Sequence, residues 1–121
     1  MAKYRQAPSG QRPIFYAFQL VAPRRPIKIG TTGTLDLRLE SYRSIPYPRR
    51  LLFAVMAGRA APKIEQALLA DLKDHVFHCR EWFRPSPEVV VRLAEIAATY
   101  PAYIETDEAF IAAHDAWKEA A

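Results

Sequence analysis

The 121 residues suit a single domain, and a balance of 50% hydrophobic, 25% charged and 12% aromatic residues excludes a disordered chain. No apolar run approaches the ~20 residues of a membrane helix, and one cysteine, Cys79, excludes both an internal disulfide framework and a multi-cysteine zinc site. The net charge of +4 is uneven: residues 1–60 hold 11 Lys and Arg against Asp36 and Glu40, a net of +9, while the remainder holds 6 basic and 11 acidic residues, a net of −5.

Along the chain, "MAKYRQAPSGQRP" (1–13) reads as a flexible tail punctuated by Pro8, Gly10 and Pro13. It lacks the apolar segment of a signal peptide, so the expected location is the cytoplasm. "IFYAFQLV" (Ile14 to Val21) is rich in β-branched and aromatic residues and predicts a strand. "APRRP" turns and "IKIG" (Ile27 to Gly30) returns, which makes a hairpin with a basic tip. "TTGT" leads into a helix predicted from Leu35 to Arg43, with Thr34 as its cap and Asp36 favoured by the dipole of its first turn. "SIPYP" breaks the chain at two prolines, and "RRLLFAVMA" (Arg49 to Ala57) predicts a third strand.

Pro62 suits the first position of a helix running to about Val76, with Ile64, Ala67, Leu68, Leu72 and Val76 on one stripe and Glu65 in the first turn. "REWF" predicts a short strand or an aromatic plug in which Trp82 and Phe83 are core. "SPE" (Ser86 to Glu88) starts a helix that buries Val89, Leu93, Ile96 and Ala97. After the break at "YPAY", Thr106 opens a last helix carrying Phe110, Ile111 and Trp117. The expected fold is α+β: a small three-stranded antiparallel sheet with helices on one side and an extra C-terminal helix. The expected division is a tail over 1–13, a domain over 14–100 and a helical extension over 101–121.

Several polar residues occupy positions a core does not require. Tyr16 shares a strand face with Ile14 and Phe18, and Lys28 stands midway along the second strand. Arg38 and Tyr42 are four apart and so neighbours on a helix surface. Taken one at a time, each also reads as ordinary structure: a rim tyrosine, an exposed helical pair, and a glutamate favoured by a helix dipole whatever its function. His75 and His78 are three apart, but with no second cysteine nearby they read as helix-end residues. Arg24, Arg25, Arg43, Arg49 and Arg50 are candidate contacts to a nucleic-acid backbone; solvated surface arginines are the other reading.

Taken in order, "IFY", "KIG", Arg38, Tyr42, Glu65 and "REWFRPSPE" resemble the GIY-YIG nuclease superfamily. The likeness is to the phage and bacterial subgroup that has KIG as its second motif and an EWF element before the last helix. It covers roughly Ile14 to Ala97. The resemblance implies a metal-dependent endonuclease acting on DNA, with Tyr16, Lys28, Arg38, Tyr42 and Glu65 as the catalytic set. In that scheme Arg38 grips the scissile phosphate, Glu65 holds one Mg²⁺ or Mn²⁺, and Tyr16 or Tyr42 orients or deprotonates the attacking water, eased by Lys28 and Arg38. The chain departs from the pattern at Ile14, at Lys28 in place of the second tyrosine, and at Leu69 where the subgroup often has a histidine. A catalytically silent nucleic-acid-binding or regulatory module is the alternative, and a protein-interaction domain using the acidic C-terminal helix is a third. A homodimer or a targeting protein partner is compatible with all three.

Overall fold

The computed structural model describes residues 11–42, 44–77 and 82–104. The first ten residues of the expected tail, Arg43, His78, Cys79, Glu81 and the expected C-terminal helix lie outside them. The elements run β1 (Ile14–Leu20), β2 (Ile27–Thr32), α1 (Leu35–Glu40), β3 (Arg49–Met56), α2 (Ala61–Asp71), β4 (Trp82–Phe83), α3 (Pro87–Thr99) and β5 (Ala102–Ile104). The class is α+β, as the pattern predicts, but the sheet has five antiparallel strands in the order β4-β2-β1-β3-β5 rather than three. The two additions are short edge strands. β4 pairs Phe83 with Ile27 and Trp82 with Lys28, and β5 runs beside β3 after Tyr100 ends α3. Residues 102–104 are therefore sheet, not the start of a helical extension.

β1 is apolar on both faces, which a strand covered on one side does not need. Accordingly the helices lie on both sides of the sheet, not one. On one face Phe15, Ala17, Ile27, Ile29, Phe53 and Val55 meet Leu68 and Leu72 from the α2 side and Val89 and Leu93 of α3. On the other, Ile14, Tyr16, Phe18, Leu20 and Ala54 meet Leu35 of α1, with Leu39, Tyr42 and Ile45 packed around them. A bulge in β3 between the partners of Ala17 and Phe18 lets Leu52 and Phe53 both serve the first core while Leu51 serves the second.

Some boundaries move for identifiable reasons. A 3-10 turn at Gly58–Ala60 runs straight into α2, so the helix starts at Ala61 with no acidic residue in its first turn, and Glu65 sits one turn in. α2 ends at Asp71 and gives way to a second 3-10 turn at Lys73–His75; Ala67, expected on the buried stripe, is exposed. α1 stops at Glu40. Its Thr34 side chain makes no cap; instead the Thr32 hydroxyl accepts from the Thr34 N–H at 3.0 Å. Ser86 does cap α3, accepting from Val89 N–H at 3.4 Å. α3 is tied to the end of α2 by Arg92–Asp71 at 3.2 Å and to the 3-10 turn that follows it by His75–Glu88. Pro13 is held too: its carbonyl accepts from Ala57 N–H at 2.9 Å and Gly58 N–H at 3.0 Å. No described helix is long and apolar enough to cross a membrane.

Candidate active site

Strand alternation places Tyr16 on the α1 face of β1, directly opposite Gly30 of β2. The glycine is required for space. A Cβ at position 30 would stand 2.6 Å from Tyr16 Cζ and 2.9 Å from Cε2, and closer still to the hydroxyl oxygen. The hydroxyl end of the ring therefore lies over the bare backbone of β2 at Gly30. Tyr16 is only 1% exposed and stacks with Phe18, centroids 6.3 Å apart. Phe18 in turn meets Tyr42 at 4.9 Å and the edge of Trp82 at 5.7 Å. The result is a wall of four aromatic side chains from two strands and a turn.

Tyr42 arrives by a different route from the one its spacing suggests. α1 ends two residues earlier, and a turn closed by Tyr42 N–H to Leu39 O at 3.1 Å delivers it. Its half-buried hydroxyl meets that of Tyr16 at 3.0 Å. Arg38, in the last turn of α1, is exposed, and Glu65 of α2 is half-buried. The field of both charges reaches the Tyr16 hydroxyl: Arg38 eases its ionisation and Glu65 opposes it. Burial is the largest influence on Tyr16, followed by the Tyr42 hydrogen bond, and together they push its ionisation well above the ordinary tyrosine range. Arg38 acts in the expected direction, but burial and the Tyr42 hydrogen bond act more strongly in the opposite one.

Lys28 lies on the same face, between Phe18 and Trp82 in the register of the sheet, and is 5% exposed. Its Nζ donates to the Ile29 carbonyl at 3.3 Å. Trp82 and Phe83 are both plug and strand: Phe83 fills the α2 and α3 side, Trp82 the α1 side. Leu69 packs against the first core as an ordinary aliphatic residue.

The arginines gather at one end of the sheet. Arg24 and Arg25 are exposed on the β1–β2 turn, with φ of 67° and 40°. Arg49 and Arg50 open β3 opposite Leu20 and Gln19. Alternation from Leu51 puts Arg49 on the Tyr16 face and Arg50 on the opposite one, so a single groove does not take all four. Sequence reasoning missed the packing role of Gly30, although its partner could have been read once the hairpin register was set. It also passed over Tyr47, which stands 45% exposed beside this arginine end.

Among the described residues no cluster of three or more His, Cys, Asp or Glu is arranged to hold a metal. The donor set near Tyr16 is one carboxylate, that of Glu65. This fits a hard divalent ion that takes one or two carboxylates and completes its shell with water and substrate phosphate, not an all-protein cage.

A family model described as the T5orf172 domain matches residues 14–98. This domain occurs in phage and bacterial proteins and is related to nucleases of the GIY-YIG and HNH kinds. Neither a curated protein nor a solved structure matches the chain.

Proposed function

The chain belongs to the T5orf172 domain family, and from that premise we propose that it is a metal-dependent endonuclease of GIY-YIG type that hydrolyses DNA phosphodiester bonds in the cytoplasm. One observation carries the reading. A buried hydroxyl on β1 is bonded to a second from the turn after α1, and it feels an arginine of α1 and a glutamate of α2. A guanidinium, a carboxylate and two linked hydroxyls are the groups that phosphodiester cleavage asks for.

In this reading Arg38, exposed at the rim, forks onto two oxygens of the scissile phosphate and offsets the charge that builds there. Tyr42 is the hydroxyl nearer solvent. It hydrogen-bonds the attacking water, and Tyr16, neutral and immobilised over Gly30, holds Tyr42 in line. Tyr16 is then a positioning residue. Lys28 adds positive charge to the same face. A divalent ion on Glu65 would stabilise the leaving oxygen and acidify a bound water.

The test is incubation of the purified chain with plasmid and Mg²⁺ or Mn²⁺. Cleavage that disappears in Glu65→Gln and Arg38→Ala, with DNA binding retained in Glu65→Gln, supports the enzyme. Cleavage surviving in Glu65→Gln rules out this site. One feature favours a second reading, a module that binds nucleic acid without cutting it: Leu69, in core packing, occupies the position where related nucleases often place a histidine beside the metal glutamate. Binding without cleavage under every metal tried would establish that reading instead.

A further inference from the structure

At the arginine end of the sheet the loop after Tyr42 holds an aromatic residue that the cleft does not use. Tyr47 is bracketed by Pro46 and Pro48 and is 45% exposed. A residue before proline is restricted to extended backbone, and each proline fixes its own φ, so little freedom remains to be lost on binding. Beside it, Val21 N–H donates to Pro48 O at 2.8 Å, which locks this loop to the shoulder of the β1–β2 hairpin; Val21 is itself 46% exposed.

The hairpin tip adds charge in a costly conformation. Arg25 N–H bonds to Ala22 O at 3.0 Å around Pro23, which puts Arg24 at the turn position that glycine normally fills. Arg25 also has positive φ, and Gln19 Nε2 pins its carbonyl at 2.9 Å. Two successive arginines in the left-handed region cost on the order of 1–3 kcal/mol each. Such strain points to a use for the side chains it projects.

We propose that Tyr47, at the same end of the sheet as Arg24, Arg25 and Arg49, is a stacking platform for an unpaired base of DNA, which makes the preferred substrate a duplex with a single-stranded segment next to the cut. This rests on the nucleic-acid reading above and narrows its substrate class. In a paired duplex each base face is already covered by its neighbours. Only an unpaired strand offers a free π-face to a rigid exposed ring while its phosphates run past cations. The position is apt: Tyr47 lies in the loop that leads away from Tyr42, and Ile45 N–H bonds back to Tyr42 O at 3.0 Å. Platform and cleft are thus carried by one short segment of chain.

The test uses the full chain without divalent metal, so that binding is read apart from cleavage. Fluorescence anisotropy compares a blunt duplex, the same duplex with a single-stranded DNA tail, and the duplex with an RNA tail, for wild type, Tyr47→Ala and Tyr47→Phe. The expected result is tighter binding of the DNA-tailed duplex than of the blunt one. Tyr47→Ala should lose about five- to a hundredfold on the tailed DNA and little on the blunt duplex, while Tyr47→Phe keeps the preference. A fluorescent adenine analogue in the tail should be quenched by wild type and Tyr47→Phe but not by Tyr47→Ala. Equal losses on both duplexes, no loss on either, a preference for the RNA tail, or no DNA binding beside capture of a protein partner at Tyr47 would each overturn the proposal. The nuclease reading is judged separately by Glu65-dependent cleavage of plasmid, so either can fail without the other.

Discussion

Replacing Gly30 by alanine tests the geometry on which the cleft depends. Ordinary contact to a Cβ begins near 3.4 Å, and here the methyl would stand 2.6 Å from a ring carbon of Tyr16. The ring must then retreat by about 0.8 Å, the difference of those two distances. It has little room to do so, being 1% exposed and stacked on Phe18. Overpacking of this kind costs about 1–3 kcal/mol. Losing the hydrogen bond to Tyr42 adds about 1 kcal/mol, for a total of about 2–4 kcal/mol out of a typical 5–15 kcal/mol. Urea denaturation at neutral pH, at unchanged m-value, reads this as a lowered midpoint. Two second-site variants identify the cause. Tyr16→Phe removes only the oxygen and leaves the ring carbons in place, so Gly30→Ala should still cost more than 1 kcal/mol in that background by the same overpacking argument. Tyr16→Val removes the ring, and there Gly30→Ala should cost under about 0.5 kcal/mol, as uncoupled sites do. If Gly30→Ala lies within about 0.5 kcal/mol of wild type, or costs as much beside Tyr16→Val as alone, the clash is not what the glycine relieves.

The remaining predictions touch the charges and hydroxyls. Glu65→Gln should lower the cleavage rate by at least about a hundredfold with the denaturation midpoint nearly unchanged, the scale seen when one preorganised stabilising group is lost. Arg38→Lys should restore only part of the loss in Arg38→Ala, because an ammonium cannot match two phosphate oxygens as a guanidinium does; single-turnover rates on one oligonucleotide compare the three. Unfolded Tyr16 ionises near 10.0, whereas in the fold it keeps its proton to higher pH. Unfolding therefore releases a proton above pH 10, and stability should fall there with a contribution of about 1.4 kcal/mol per pH unit that Tyr16→Phe removes; alkaline denaturation series on both proteins measure it. Arg24→Gly should stabilise the fold by about 0.5–1 kcal/mol, since relief of a left-handed arginine exceeds the glycine's extra chain entropy. The same change should weaken DNA binding and flatten its log–log salt dependence by about one unit, so opposite signs in calorimetry and binding are the expected signature.

What the sequence made legible follows the range of the forces involved. β1, β2 and β3 were readable because β-branched and aromatic runs between prolines are local signals, and Ser86 announced α3 by its own hydroxyl. β4 was legible only as one of two readings of "REWF", and β5 not at all, since a strand of two or three residues exists only through its partner. The placement of helices on both faces was written in β1, whose seven residues hold just one that is not buried, Gln19; the alternation that marks a one-sided sheet is missing. Tyr42 reaches the Tyr16 hydroxyl although helical spacing is the wrong reason, because the helix ends and a turn finishes the approach. The net direction of Tyr16's ionisation was not legible, for a related cause. Charges can be counted along a chain, but the burial that outweighs them is a property of the assembled aromatic wall.

That wall also explains why hydroxyls and charges can sit on a β-sheet this small. The larger apolar core of the protein lies on the α2 and α3 face, where Phe15, Phe53, Leu68, Val89 and Leu93 are buried together. The α1 face is covered by one six-residue helix and the segment that follows it. A helix so short is not stable alone, so its position is set by what it rests on: Leu35 in the second core, and Tyr42 held by a ring contact and a hydroxyl bond. Tyr16 thereby links fold and function through two different parts of its side chain. Its ring, seated on Gly30, makes the surface on which the α1 segment docks; its hydroxyl meets the Tyr42 hydroxyl at the cleft. A smaller residue at position 16 would loosen α1 and with it Arg38, which is why a loss of cleavage in such a variant would not by itself mark Tyr16 as a group that touches the phosphate. Tyr16→Phe, which keeps the ring and deletes the oxygen, separates the two roles.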